Sequence, residues 1–179
     1  MERIKYQGKI VEIVETEVFL GKTTKTFELA RRSPGVRIII PKGDDILLSK
    51  EFRHEVGGYD FRLPGGKVYD SLTEYTAALS GGVDIVEAAK QAAIKEASEE
   101  AGIEVKDLSH FHTSVCGATI IWDLHYFVVN EFTKGTQHLE DGEDISMEAV
   151  DRERVRSMCL DSSISEERSA LVLLRYLNS

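Results

Sequence analysis

A chain of 179 residues with 42% apolar content can bury one substantial core, so a single compact catalytic or binding domain is the simplest organisation. Its formal net charge of -9 argues against a nucleic-acid binder, which needs clustered Lys and Arg to displace counterions from a phosphate backbone. No apolar run is long enough to span a membrane. Cys116 and Cys159 form no CxxC pair and the start lacks the apolar stretch of a signal peptide, so reduced thiols in a cytoplasmic protein are expected.

In chain order, residues 4 to 31 carry two β-like runs, KIVEIVETEVFL and KTTKTFELAR, around the turn signal Gly21-Lys22, and predict a small antiparallel hairpin. VRIIIP and DILLSKEF flank Lys42-Gly43-Asp44 as a second hairpin; a short strand then ends at Phe61-Arg62-Leu63 and is broken by Pro64-Gly65-Gly66. Between Tyr69 and Ser80, Leu72, Tyr75, Ala78 and Leu79 fall at helical spacing and predict a short helix. A longer acidic helix is predicted from near Glu87 to Gly102, with Ala93, Ile94, Ala97 and Ala101 on an apolar arc that can lie close against a sheet. IEVKDLSHFHTSVC and TIIWDLHYFVVNEF predict two long strands, and an acidic loop covers roughly residues 133 to 144. DISMEAV resumes a strand, and helices around Arg152 to Met158 and Glu166 to Leu177 finish the chain. Alternating strands and helices of this kind predict an α/β fold with a mixed sheet flanked by helices.

The chemistry concentrates on the acidic helix. At about 100° per residue, Glu96 and Glu100 sit one turn apart with Glu99 beside them, so three carboxylates share one face that repels itself without a cation. Oxygen donors of this type suit Mg2+ or Mn2+, and Mg2+ is commonly held by a few carboxylates together with water and substrate phosphates. A bare EASEE run is an ordinary solvated helix face, but the wider spacing sets this one apart. From Gly81 the chain reads G-x5-E-x7-K-E-A-x-E-E-x-G-I, which resembles the Nudix hydrolase signature G-x5-E-x7-R-E-U-x-E-E-x-G-U, with U aliphatic, at seven of its nine specified positions. Lys95 and Ala97 are the departures. Lys cannot hold a carboxylate through the two parallel hydrogen bonds that an Arg fork makes, so a neighbouring Glu is less tightly oriented.

YQGKIVEI near the start, EFRHEVG before the LPGG turn and EDISMEAVDRERV near the end extend the likeness over nearly the whole chain, to the ADP-ribose and nucleotide-sugar pyrophosphatase branch. That resemblance implies a Nudix-type α/β/α sandwich over residues 34–179. It also implies that the hairpin of residues 1–33 is exchanged in a homodimer and contributes to the partner's pocket; a hairpin packed on its own subunit is the alternative. In the family the LPGG glycines begin the signature, whereas here Leu63-Pro64-Gly65-Gly66 lies some fifteen residues before Gly81. The chain therefore carries an insertion at about residues 69–80, and the family's backbone role passes to Gly65 and Gly66.

By the same resemblance, metal would be held by the Gly65 carbonyl, Glu96, Glu99, Glu100 and Glu143. Glu87 lies about half a turn from Glu96 around the helix axis and is expected at the helix entrance, orienting other groups, pairing with Lys95, or complementing the helix dipole. Arg53 matches the arginine that contacts the substrate diphosphate in this branch; an ion pair with Glu51 or Glu55 is the plainer reading. Phe27, Glu28 and Arg31 could reach a base or ribose. Trp122, on an alternating strand, reads as core, and the five histidines show no metal-ligand pattern. The base that activates water comes, in this branch, from the loop before the last strand, here GTQHLEDGED. Asp141 stands at the family's position, Glu140 is the longer alternative, and Glu96 or Glu99 would serve if the loop were only a solvated surface. The activity so implied is Mg2+-dependent cleavage of a nucleoside diphosphate sugar, ADP-ribose to AMP and ribose 5-phosphate foremost. GDP- and UDP-sugars, or a nucleotide-binding module with impaired catalysis, are the alternatives.

Overall fold

The structure is a computed structural model that describes residues 2–54 and 57–179. Its N-terminal part is an antiparallel meander of β1 (Glu2–Gln7), β2 (Glu12–Leu20) and β3 (Thr23–Arg31). β2 and β3 pair without a break from Glu12↔Arg31 to Leu20↔Thr23, and Gly21 supplies the positive φ of 67° that the two-residue turn requires. The expected hairpin is therefore present, with an extra strand at its outer edge. Every residue of β1 is exposed, so no burial alternation marked it in the sequence.

The main sheet runs in the order β10-β5-β4-β9-β7, formed by β4 (Gly35–Lys42), β5 (Asp45–Arg53), β7 (Ile103–Ser114), β9 (Leu124–Lys134) and β10 (Ile145–Asp151). β4 and β9 are parallel and the other neighbours antiparallel, which makes the sheet mixed. β6 (Gly58–Arg62) pairs with the second half of β5. The run TIIWDLHYFVVNEF is not one strand. Ile120–Ile121 form β8, which leaves to pair in parallel with Ala30 and Arg31 of β3, and the main-sheet strand starts only at Leu124. Periodicity alone could not expose that break, because both halves are apolar.

Alternation along β4 and β9 divides the core into two layers. On one face α2 (Ile85–Glu99) lays Ala89, Ala93 and Ala97, all fully buried, against Val36, Ile38, Ile40, Phe127 and Val129. Methyl-sized side chains at every fourth position let the helix axis approach the sheet closely. Enlarging one would overpack the layer, at about 1–3 kcal/mol, and push the helix off it. On the other face α3 (Arg152–Leu160) and α4 (Glu167–Leu177) pack Val155, Met158, Ala170, Val172 and Leu173 against Ile39, Ile46, Leu48, Leu124, Tyr126 and Val128. The result is an α/β/α sandwich.

The inserted segment forms α1 (Leu72–Ser80), N-capped by the Ser71 hydroxyl, which accepts from the Glu74 amide at 3.3 Å. Leu72, Tyr75 and Ala78 are its buried residues, as their spacing implies, and the Tyr75 ring stacks on Tyr69 at 5.8 Å. Gly81 and Gly82, the latter at φ 70°, turn the chain from α1 into α2. α2 begins at Ile85, two residues before Glu87, because Asp84 caps it by accepting from the Val86 and Glu87 amides at 2.9 and 3.2 Å. It ends at Glu99, and a turn through Gly102 leads into β7.

Candidate active site

The LPGG segment is a wedge between β4 and the acidic end of α2. The Pro64 and Gly66 carbonyls accept from the Ile38 and Val36 amides, each at 2.9 Å, so the intervening Gly65 carbonyl is the acceptor of this turn outside that ladder. Gly65 has φ 144°, and a Cβ there would stand 2.2 Å from the Val36 carbonyl oxygen. Only glycine fits. A Cβ on Gly66 would lie 2.0 Å from Oε1 of Glu96, and the Gly65 amide donates to Oε2 of Glu100 at 2.8 Å. The missing side chain of Gly66 is thus the space that Glu96 occupies, while the Gly65 amide holds Glu100, the residue that caps α2.

These carboxylates form one wall of a cavity of about 400 Å3. Glu96, Glu99 and Glu100 at the end of α2 share this lining with Glu140 and Glu143 of the loop before β10 and with Arg32, Arg37, Arg53 and Arg62. Burial pushes the Glu96 carboxyl up to about 7; Lys95 opposes the rise, and Glu99, Glu143 and Glu140 add to it. Burial likewise pushes Glu100 up to about 8, against the Gly65 amide and Arg37 and reinforced by Glu96 and Glu143. Two half-buried acids that resist ionisation, on the rim of an open cavity, suit a divalent cation, because its charge would reverse the cost of holding both as carboxylates. Among the described residues, no group of three or more His, Cys, Asp or Glu side chains is placed so that it could hold a metal ion by itself. Glu96 and Glu100 are oxygen donors of the type a hard cation takes when water and substrate oxygen complete its shell.

The loop acids are held over the helix by its own C-terminus. The Gln137 side-chain amide donates to the Glu100 carbonyl at 2.6 Å and to the Ile145 carbonyl at 3.2 Å, and the His138 amide donates to the Glu99 carbonyl at 2.9 Å. Gly102, at φ 61°, accepts from the Gly135 amide at 2.8 Å, and a Cβ on it would come within 2.8 Å of the Gln137 nitrogen. Carbonyls that a helix end leaves free are thus satisfied by the acidic loop. Beyond the clamp, Glu140 and Glu143 brace each other: the Glu140 amide donates to the Glu143 carboxylate at 2.9 Å, and the Glu143 amide to the Glu140 carbonyl at 3.1 Å. Both face the cavity. Asp141 is exposed and lies outside its lining.

Arg53 lines the cavity and also donates to Glu51 at 2.6 Å, the ion pair of the plainer reading; Glu55 lies outside the described residues. Phe27 and Glu28 stand exposed on β3 and are not among the residues that line the cavity. Arg31 is occupied elsewhere: it donates to the fully buried Glu12 at 2.6 Å and to Glu2 at 3.0 Å, tying β1, β2 and β3 together. Lys95 pairs with Glu99 at 2.8 Å rather than with Glu87, which is two helical turns away and accepts from Gln91. Sequence reasoning missed Arg37 and Arg62. Arg37 had a signal, a lone charge inside the otherwise apolar run VRIII of a central strand. Trp122, expected as core, packs on the core with one part and lines the cavity with another.

The sequence matches the NUDIX domain family over residues 31–166. A crystal structure of an ADP compounds hydrolase has the same fold, with a TM-score of 0.65 and 18% sequence identity over 98% of this chain and 92% of its own. No curated protein matches the sequence. With the family match spanning most of the chain and bracketing both the α2 carboxylates and the acidic loop that faces them, this protein belongs to the Nudix family.

Proposed function

We propose that the protein is a pyrophosphohydrolase acting on nucleoside diphosphate sugars, with ADP-ribose, cleaved to AMP and ribose 5-phosphate, as the leading substrate. The observation that carries this reading is the meeting, in one cavity, of the half-buried Glu96 and Glu100 carboxyls with Arg37, Arg53 and Arg62. Such a cavity suits a diphosphate, because its guanidiniums would neutralise phosphoryl oxygens while its carboxylates would hold a divalent ion. Mg2+, or Mn2+ in its place, would be held by Glu96 and Glu100, with Glu99, Glu143 and the Gly65 carbonyl as further donors. Bound there, it would neutralise charge on the diphosphate and make water more acidic.

The chain's own residues would do the rest. A loop carboxylate takes the proton of the attacking water as the bridging P–O bond breaks, and Glu140 is favoured over Asp141 because it lines the cavity. Arg53 would bind phosphoryl oxygens and exchange its Glu51 contact for them. The N-terminal strands, residues 1–33, would form a homodimer by exchange. Their exposed apolar side chains support this, Phe19 at 72% and Phe27 at 44% exposure among them. The chain would act in the cytoplasm on small nucleotides, with neither nucleic acid nor membrane as partner. Among the described residues, no helix is long and apolar enough to cross a membrane.

Incubation with ADP-ribose, GDP-mannose, UDP-glucose, NADH and diadenosine polyphosphates at millimolar Mg2+, with chromatography of the products, tests the reading. Release of AMP from ADP-ribose in preference to the other cleavages supports it. Preferred cleavage of a GDP- or UDP-sugar moves the base, and nucleotide binding without turnover would mean a ligand-binding module instead.

A further inference from the structure

The cavity lining carries, in Arg32 and Trp122, a feature that the carboxylates of the acidic helix and loop do not account for. Parallel pairing of β3 with β8 sets Arg31 beside Ile121, and the Arg32 amide donates to the Ile121 carbonyl at 3.1 Å, so Arg32 and Trp122 emerge side by side into the cavity wall. The Arg32 guanidinium lies over the indole, 4.4 Å from its centroid, and Arg168 lies over the same ring at 4.3 Å. Arg168 is compensated, since it donates to the Trp122 carbonyl at 2.9 Å and to Glu166 at 3.3 Å. Arg32 makes no ion pair among the described residues, and the charges that act on it, those of Arg37 and Arg168, are both cationic. With two guanidiniums already over the indole, a base cannot stack on Trp122 without displacing one.

A half-buried, permanently charged group without a counter-ion is an electrostatic deficit that a bound anion removes. We propose that Arg32, held flat by Trp122 at the cavity wall, is a phosphate receptor that fixes the substrate by a phosphoryl group distinct from the one held at the acidic end. This rests on the nucleotide-hydrolase reading for its substrate but not for its binding chemistry. The planar fork can present two parallel N–H donors to phosphate oxygens, and stacking keeps it oriented before the anion arrives. The receptor is therefore a group that positions the substrate, holding the phosphate that leaves with one of the two products.

Trp122 is the chain's single tryptophan, so its fluorescence reports on the Arg32 stack directly. In EDTA, with no metal ion to bind anions, inorganic phosphate, AMP and ribose 5-phosphate are titrated against the full chain by tryptophan emission and by calorimetry. A saturable response to inorganic phosphate is expected. Arg32→Gln should weaken it at least about tenfold, and Arg32→Lys, which keeps the charge and loses the fork, should fall between. Thermal unfolding of each variant checks that the fold survives, and Arg32→Lys serves if Arg32→Gln does not fold. Loss of affinity for AMP identifies the nucleotide-side phosphate as the one read, and loss for ribose 5-phosphate the sugar-side one; either supports the proposal. Equal phosphate affinity in wild type and folded variants overturns it, as does absence of any saturable response in wild type. Because this readout needs no turnover, failure of hydrolysis with phosphate binding intact would sink only the enzymatic reading. In active enzyme the same substitution should raise KM about tenfold with kcat within about threefold, the pattern of a group that binds ground and transition states alike.

Discussion

Glu100→Gln separates the electrostatics of the acidic wall from its chemistry. In the metal-free protein the Glu100 carboxyl is pushed from its ordinary 4.5 up to about 8, chiefly by burial, with Glu96 and Glu143 adding repulsion. An acid whose folded value is raised favours the folded state while it carries its proton. That stability is fully present below about pH 4.5 and is lost as pH climbs toward about 8. Each pH unit across that window removes about 1.4 kcal/mol, so the loss is at most about 5 kcal/mol. Glu96 and Glu143 share the same repulsion and relax when Glu100 is neutral, so about 2 kcal/mol is the part a neutral isostere should recover. For a chain of this size that is roughly 4–8 °C in Tm. Gln also keeps an oxygen for the Gly65 amide, so the turn need not shift. Scanning calorimetry in EDTA at pH 5 and pH 8 should find wild type less stable at pH 8 and Glu100→Gln losing clearly less, the remaining loss belonging to Glu96, whose carboxyl is itself pushed up to about 7 by burial. Added Mg2+ should raise the wild-type Tm at pH 8 and barely move the variant, while turnover on the preferred substrate should fall by orders of magnitude. Equal pH dependence in the two proteins would refute the electrostatic argument, and near wild-type kcat in saturating Mg2+ would remove Glu100 from the metal site.

In the loop, Glu140→Gln should lower kcat by about 10^2 to 10^4 without rescue by Mg2+ and Glu143→Gln should be partly rescued by it; Asp141→Asn should change kcat least, and steady-state kinetics across a Mg2+ series checks all three. Gly66→Ala should leave Tm within a few degrees, because the atom in its way is the mobile end of Glu96, yet displace that carboxylate and cut kcat; Gly65→Ala meets the Val36 backbone at positive φ and should unfold the turn, costing about 2–4 kcal/mol in a denaturant titration. Lys95→Arg should keep or raise activity and shift stability by less than about 0.5 kcal/mol, since the exposed pair with Glu99 is one of the weak i,i+4 kind. Gln137→Ala should slow kcat by loosening the clamp on Glu140 and Glu143 while leaving Mg2+-induced stabilisation at Glu96 and Glu100 in place, measured by kinetics and thermal shift on the same sample.

What the sequence made legible was whatever is governed by local spacing. Glu96, Glu99 and Glu100 lie on one face because three- and four-residue steps return to the same side of a helix. α1 was readable from Leu72, Tyr75 and Ala78 for the same reason, and the LPGG turn from glycines that can serve no ordinary strand. Contacts made between distant segments were not legible. Arg31 looked available until Glu12 and Glu2 were brought across the meander to it, and Trp122 looked like core until β8 left the main sheet and carried it beside Arg32. β1 offered only Ile4 and Tyr6 as an alternating pair, and both are exposed on an edge strand rather than turned into a core.

The loop acids show how a distant contact converts a local pattern into a site. Local spacing in GTQHLEDGED does not distinguish Glu140 and Glu143 from a solvated acidic stretch; only the family resemblance marked them. Their place over α2 depends on Gln137 and His138 reaching the Glu100 and Glu99 carbonyls. Those carbonyls are free because the helix stops there, and the loop can approach because Gly102 offers no side chain to block the Gln137 backbone. The Gly102 that closes the α2 signature is therefore also the residue that admits the loop. It couples the two ends of a carboxylate set that the chain separates by about forty residues. A side chain at that position would strain the positive φ and push the loop outward together. Its first effect would be felt by Glu140 and Glu143 rather than by the Glu96 and Glu100 pair, which the Gly65–Gly66 turn and the alanine face of α2 hold independently.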